Sequence, residues 1–177
     1  MKIITAPEIY NDKKNHIKCF LAGGITNCSN WQKTVIENIE EYALDTKVDL
    51  KYLDIYNPRR DNFPINNPNA AEEQIKWEFN YLENSDIFSI YFCNAPSDQP
   101  ICMYELGRNI SEKINEYMNT YPYRIIISIE KGYKREQDIL IQTKLATNNI
   151  IKPLTYATPE SHAQAIVDNY YWLIKNT

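Results

Sequence analysis

The chain has 177 residues, enough for one domain with a sizeable core, and its 44% hydrophobic and 24% charged content is ordinary for a globular fold. A net charge of −4 and a pI near 5.3 argue against general nucleic-acid binding, which shows as a basic balance, but leave room for a small anionic substrate held by local arginines. No apolar run approaches the roughly 18 residues that a membrane span needs, so no membrane partner is expected.

The opening MKIITAPEIYNDKKNH lacks the apolar core of a secretory signal. From residue 17 onwards apolar runs alternate with helical patterns. IKCFLA (17–22) reads as a buried strand and NWQKTVIENIEEYAL (30–44) as an amphipathic helix with Trp31, Val35, Ile39 and Tyr42 on one face. LKYLDIY (50–56) is a second strand, followed by the loop NPRRDNFPINNPNA (57–70). AEEQIKWEFNYLENS (71–85) is a helix whose Ile75, Phe79 and Leu82 share an apolar stripe, which leaves Glu78 exposed by default.

DIFSIYF (86–92) is the third strand and PICMYELGRNISEKINEYM (100–118) the next helix. YRIIISI (123–129) is a fourth strand, REQDILIQTKLA (135–146) a helix, and NIIKPLTY (149–156) an edge strand carrying Pro153, which a central strand would not tolerate. PESHAQAIVDNYYWLIKN (159–176) closes the chain as a helix, with Thr158 or Ser161 near its start. No linker, repeat or low-complexity tract interrupts this series, so residues 1–177 are expected to form one domain. Strict alternation predicts a parallel five-stranded α/β sheet, doubly wound with helices on both faces. In such a sheet ligands bind beyond the carboxyl ends of the strands, where the strand order switches.

The four cysteines, Cys19, Cys28, Cys93 and Cys102, show no CxxC spacing, and two histidines are too few for a usual zinc set. No metal and no cofactor is therefore expected. Cys19 and Cys93 fall in strand runs, where a free thiol behaves as a small hydrophobe. Reduced cysteines predict a cytoplasmic protein.

The loops beyond the first three strands hold the candidates. Gly23, Gly24 and Ile25 follow the first strand, where paired glycines allow backbone to approach a ligand. A tight turn with no ligand explains the same pair, and GGITNCSNW is neither GxGxxG nor a P-loop. After the second strand, Arg59 and Arg60 can pair with a phosphate or carboxylate, and Phe63 can stack on a planar ring. A solvated arginine pair is the plain alternative. After the third strand, Asp98 lies in the loop and Glu105 in the helix. Acids there are favoured by the helix dipole alone, yet Glu105 is flanked by Met103, Tyr104 and Leu106 in a segment expected to be buried.

Together, CFLAGGI, NPRR, QIKWEFNYLENSDIFSIYF and PICMYELG resemble the nucleoside 2-deoxyribosyltransferase-like proteins, in order and spacing, over roughly residues 17–145. The segment KGYKREQDILIQTKLA is similar to the family's region after the fourth strand. One departure is Cys19 before Phe20, where well-studied transferases carry an aromatic pair. The resemblance implies a flavodoxin-like sheet, a homo-oligomer whose neighbouring subunit completes each site, and cleavage of a deoxynucleoside's N-glycosidic bond. It makes Glu105 the nucleophile, with Glu78 and Asp98 assisting the departing base.

The chemistry is coherent on physical grounds. A glycosidic bond breaks through an oxocarbenium-like state that a carboxylate can trap as an ester, and a base leaves more readily once protonated by a second carboxyl. The expected substrate is a nucleoside or, given the arginine pair, a nucleotide, and the deoxyribosyl group passes to another base or to water. Two alternatives stand beside this: a non-catalytic nucleotide-binding or sensing domain, and an NAD-type glycohydrolase. The glycine after Glu105 is expected to let neighbouring backbone pack close. Ile101, Tyr104, Ile110, Ile114 and Tyr117, with Tyr170, Tyr171 and Trp172 of the last helix, form an apolar surface expected to lie partly in a subunit interface.

Overall fold

The computed structural model describes residues 1–11, 13–117 and 124–176, with side chains except those of 113–117. Six parallel strands form one sheet: β1 (Lys2–Thr5), β2 (Ile17–Gly23), β3 (Leu53–Asn57), β4 (Ile87–Phe92), β5 (Ile125–Glu130) and β6 (Leu154–Ala157). One helix follows each strand from β2 onwards: α1 (Trp31–Thr46), α2 (Ala70–Glu83), α3 (Pro100–Tyr117), α4 (Glu136–Ala146) and α5 (Pro159–Asn176). The strand order is β1-β3-β2-β4-β5-β6. Without β1 this is the flavodoxin-like 2-1-3-4-5 arrangement, whose switch point lies between β2 and β4.

The strand count corrects the expected five. β1 adds to the edge by pairing Lys2 to Thr5 with Asp54 to Asn57 of β3. Of its four residues only Ile4 is buried, too short and too one-sided a pattern to stand out from a loop. At the other edge, β6 begins after Pro153, so the proline precedes the strand it was expected to occupy.

Helices cover both faces. On one, Trp31, Val35 and Ile39 of α1 pack with Ile166, Val167 and Tyr170 of α5. On the other, Trp77, Tyr81 and Leu82 of α2 join Leu106 and Ile110 of α3 and Ile139 of α4. α1 starts where the Asn30 side chain accepts a hydrogen bond from the Lys33 N–H. α5 starts with Thr158 and Ser161, each side-chain oxygen accepting from the other's backbone N–H.

The buried face of α2 is not the expected one. Ile75 and Phe79 are 63% and 51% exposed, while Trp77 and Tyr81 turn inward. The reason is local: Trp77 Nε1–H and Tyr81 O–H both donate to the Glu8 carbonyl, so the segment after β1 draws the aromatic pair against the sheet. That rotation carries Glu78 off the solvent face.

Against β4 and β5 sits His162, fully buried, with its ring nitrogens 2.6 Å from Ser89 Oγ and 2.7 Å from Ser128 Oγ. Burial lowers its pKa to about 3, so the imidazole is neutral. Its ring meets Trp31 edge-on, and Trp31 in turn supports the loop after β2.

Candidate active site

The loop after β2 is shaped by close packing. Gly23 has φ +147°, and a Cβ there would lie 2.4 Å from the Tyr91 carbonyl and 2.5 Å from the Trp31 ring. Only glycine fits that position. Trp31 Nε1–H donates to the Gly24 carbonyl at 2.8 Å, fixing the turn from its inner side.

A cleft of about 190 Å³ opens where β2, β3 and β4 end. Phe20, Gly23, Gly24 and Ile25 line it from β2 and its loop, Glu78 from α2, and Glu105 from α3. A second cavity of about 330 Å³ adjoins it and shares Ile25, Pro58 and Glu78. Arg60, Phe63 and Gln74 line that second space. Glu78, placed at the surface by the helical pattern alone, thus faces both cavities.

Burial pushes the Glu105 carboxyl up to about 8; the neighbouring Glu78 charge adds to this and Arg108 opposes it. Burial also raises Glu78, while its hydrogen bond from Gln74 and the charge of Arg60 pull the other way. Each ionised acid disfavours ionisation of the other, so the two are coupled in titration. Such a pair can offer a carboxylate and a carboxylic acid together. Among the described residues, no cluster of three or more His, Cys, Asp or Glu could hold a metal ion.

The other expected residues divide. Asp98 is exposed and is not part of the cleft lining; its carbonyl accepts from the Tyr133 hydroxyl at 3.0 Å. Arg59 faces the protein itself: its guanidinium donates to the Ser29, Cys28 and Ile25 carbonyls and to Gln32 Oε1, fastening the loop after β2. Arg60 pairs with Glu73 at 2.9 Å, lies 5.7 Å from the Phe63 ring centroid, and keeps its buried Nε without a hydrogen-bond partner. Arg60 and Phe63 therefore reach the second cavity together, and Arg59 shapes the first from behind.

Gly107 does not serve close backbone packing within the chain, because a Cβ there would meet nothing within 4 Å. Sequence reasoning also passed over Gln74 and Gln99. Gln99 is 4% exposed with φ +51°, and its Nε2–H donates to the Cys93 carbonyl at 2.7 Å. A Cβ on Gly24 would lie 2.8 Å from the Gln99 amide, so the second glycine makes room for this side chain. The available signal was the Gln-Pro step at the entry to α3, a place where positive φ outside glycine marks a constrained loop.

In a doubly wound sheet, a cleft over the switch point lined by two carboxyls lies where ligands of such folds commonly bind, beyond the strand ends. The chain matches the nucleoside 2-deoxyribosyltransferase like family over residues 16–123, and it belongs to that family. The matched span covers β2 to α3 and so includes both acids. No curated protein matches the chain. No helix among the described residues is long and apolar enough to cross a membrane.

Proposed function

We propose that the protein cleaves the N-glycosidic bond of a 2'-deoxynucleoside or deoxynucleotide and passes the deoxyribosyl group to another nucleobase or to water. The observation that carries this reading is the Glu78–Glu105 pair at the cleft, one carboxyl on each of two facing helices. Glu105 attacks C1' of the sugar as the bond to the base nitrogen breaks, forming a glycosyl ester. As positive charge develops on the sugar, the proton that Glu105 holds passes to Glu78, which gives it to the departing base, leaving Glu105 anionic for the attack. In the second half, an acceptor base or water attacks C1', the ester bond breaks, and the acceptor's proton returns to Glu78. Asp98, exposed and outside the cleft lining, has no part in this scheme. Incubation with a panel of deoxynucleosides and deoxynucleotides, with and without an acceptor base, tests the reading through release of free base.

Arg60, with an unpaired buried Nε beside the second cavity, is placed to hold a substrate 5'-phosphate. Arg60→Ala is expected to lower kcat/KM for a deoxynucleoside monophosphate about ten- to hundred-fold, the roughly 1.5–3 kcal/mol of a charge-assisted contact, and to spare the unphosphorylated nucleoside. Arg59→Ala, which frees the loop, is expected to weaken both substrates alike. Steady-state kinetics on the matched pair of substrates decides between these patterns.

The proposal includes a homo-oligomer. Ile75 and Phe79 of α2 and Ile101 and Tyr104 of α3 are all more than half exposed, on the two helices that carry the acids. A subunit contact would cover them. The expected surface is otherwise trimmed: Ile110 and Tyr170 are buried in the core, and the Ile114 and Tyr117 side chains lie outside the described residues. Light scattering on dilution, with activity assayed in parallel, is expected to show activity falling as the oligomer dissociates; a fully active monomer would remove the shared-site part of the proposal.

A further inference from the structure

Glu78 and Glu105 react together only if α2 and α3 hold a fixed spacing. Arg108 ties these helices: its Nη2 pairs with Glu83 of α2, its Nε with Glu112 of α3 at 3.1 Å, and its guanidinium lies 4.4 Å from the Phe79 ring centroid. Arg108 is three residues beyond Glu105 on α3, and the ring it covers, Phe79, directly follows Glu78 on α2, while its ion-pair partner Glu83 lies five residues beyond Glu78. Its side chain is only 18% exposed, which limits solvent screening.

We propose that Arg108 is a positioning residue for the glycosyl chemistry, bracing α2 against α3 and supplying the local cation that lets Glu105 carry charge beside Glu78. The charged groups acting on Glu105 are Glu78 from α2 and Arg108 from its own helix; both acids raise the Cys102 thiol, and Arg60, from the loop after β3, acts on Glu78. Of those acting on Glu105, Arg108 favours the anion, opposing both burial and Glu78. The charge balance around the clamp then makes opposite predictions for its two ends. Removing Arg108 takes away the cation acting on Glu105, whereas neutralising its partner Glu83 leaves Arg108 with less opposing charge.

The catalytic consequence rests on the reaction proposed above, but the electrostatic part can be read without substrate. In the full chain, carbon-13 NMR of labelled glutamate carboxyls, with Glu105 assigned by its loss in Glu105→Gln, gives the midpoint directly. Arg108→Met is expected to raise that midpoint by about half a pH unit or more, Arg108→Lys to leave it near wild type, and Glu83→Gln to lower it. In deoxynucleoside cleavage, Arg108→Met is expected to cut kcat about ten-fold with KM within about three-fold, and to move the rising limb of the pH profile upward. Glu83→Gln is expected to lower kcat without an upward move. A merely structural role would shift both variants the same way, and that result, or an unmoved Glu105 midpoint in Arg108→Met, would overturn the proposal. Should Arg108→Met not fold, Arg108→Lys and Glu83→Gln carry the test, and wild-type kcat in both would overturn it. A wild-type protein inactive on every substrate would overturn the assigned reaction, while the titration would still decide the role of Arg108.

Discussion

Glu105→Gln is expected to reduce release of free base from a deoxynucleoside by about a thousand-fold or more, while the protein folds as before. Loss of a nucleophile removes the covalent route altogether, and effects of that size are what such replacements produce. The same variant is expected to gain stability at alkaline pH. In the folded state Glu105 holds its proton up to about pH 8, whereas the ordinary carboxyl value is 4.5. Between those values the folded state binds more protons than the unfolded chain, so stability falls as pH rises through the window and levels off above it. A glutamine side chain cannot ionise, so the variant loses that decline. With solvent access to the half-buried carboxyl taken into account, the gain at pH 8 and above is on the order of 1–2 kcal/mol. Thermal unfolding of both proteins from pH 5 to 9 checks this. Equal slopes with pH would mean that Glu105 is not held in a charge-disfavouring site.

Gly23→Ala is expected to be the most damaging single methyl group near the cleft, costing about 3 kcal/mol or more, enough to unfold a marginal domain. The added Cβ would meet the Tyr91 carbonyl at 2.4 Å and Trp31 at 2.5 Å, on a backbone at φ +147° that a side chain rarely adopts. Neither neighbour can yield readily: Tyr91 belongs to the central strand β4, and Trp31 is fully buried and stacked on the Tyr91 ring at 5.1 Å. Gly24→Ala meets the ends of two flexible side chains, Cys28 and Gln99, and is expected to cost less in stability but to disturb the cleft wall. Urea unfolding midpoints for the two variants, measured side by side, test that order. A mild Gly23→Ala and a severe Gly24→Ala would reverse it.

The alternation of apolar runs and helical patterns made the doubly wound sheet legible, because each long strand is buried on both faces and each helix shows its own period. β1 was not legible, since a four-residue edge strand with one buried side chain has no pattern to distinguish it. The face of α2 was misread for a different reason. Ile75, Phe79 and Leu82 satisfy the helical spacing as well as Trp77, Tyr81 and Leu82 do, and the choice is made by the distant Glu8 carbonyl, which takes hydrogen bonds from Trp77 and Tyr81. A contact so distant along the chain leaves no local trace in the sequence.

The same limit applies to the site. Glu105 stood out as an acid among apolar neighbours, which is a local signal. Glu78 read as an exposed helix residue and Asp98 as an acid in a loop beyond a strand end, and only the rotation of α2 brings Glu78 to the cleft. Arg59 and Arg60 are adjacent and chemically identical, yet one binds the carbonyls of the protein's own loop and the other reaches the second cavity. Such pairs are separated by tertiary contacts and not by residue type.

The most direct test of the covalent reading is intact-mass and peptide-mapping spectrometry of the protein after incubation with a 2'-deoxy-2'-fluoroarabinosyl nucleoside, whose fluorine slows breakdown of a glycosyl ester more than it prevents its formation. A mass increase of one fluorosugar is expected, placed on Glu105 and absent from Glu105→Gln. Release of free base with no adduct at any time, or an adduct on another residue, would contradict it.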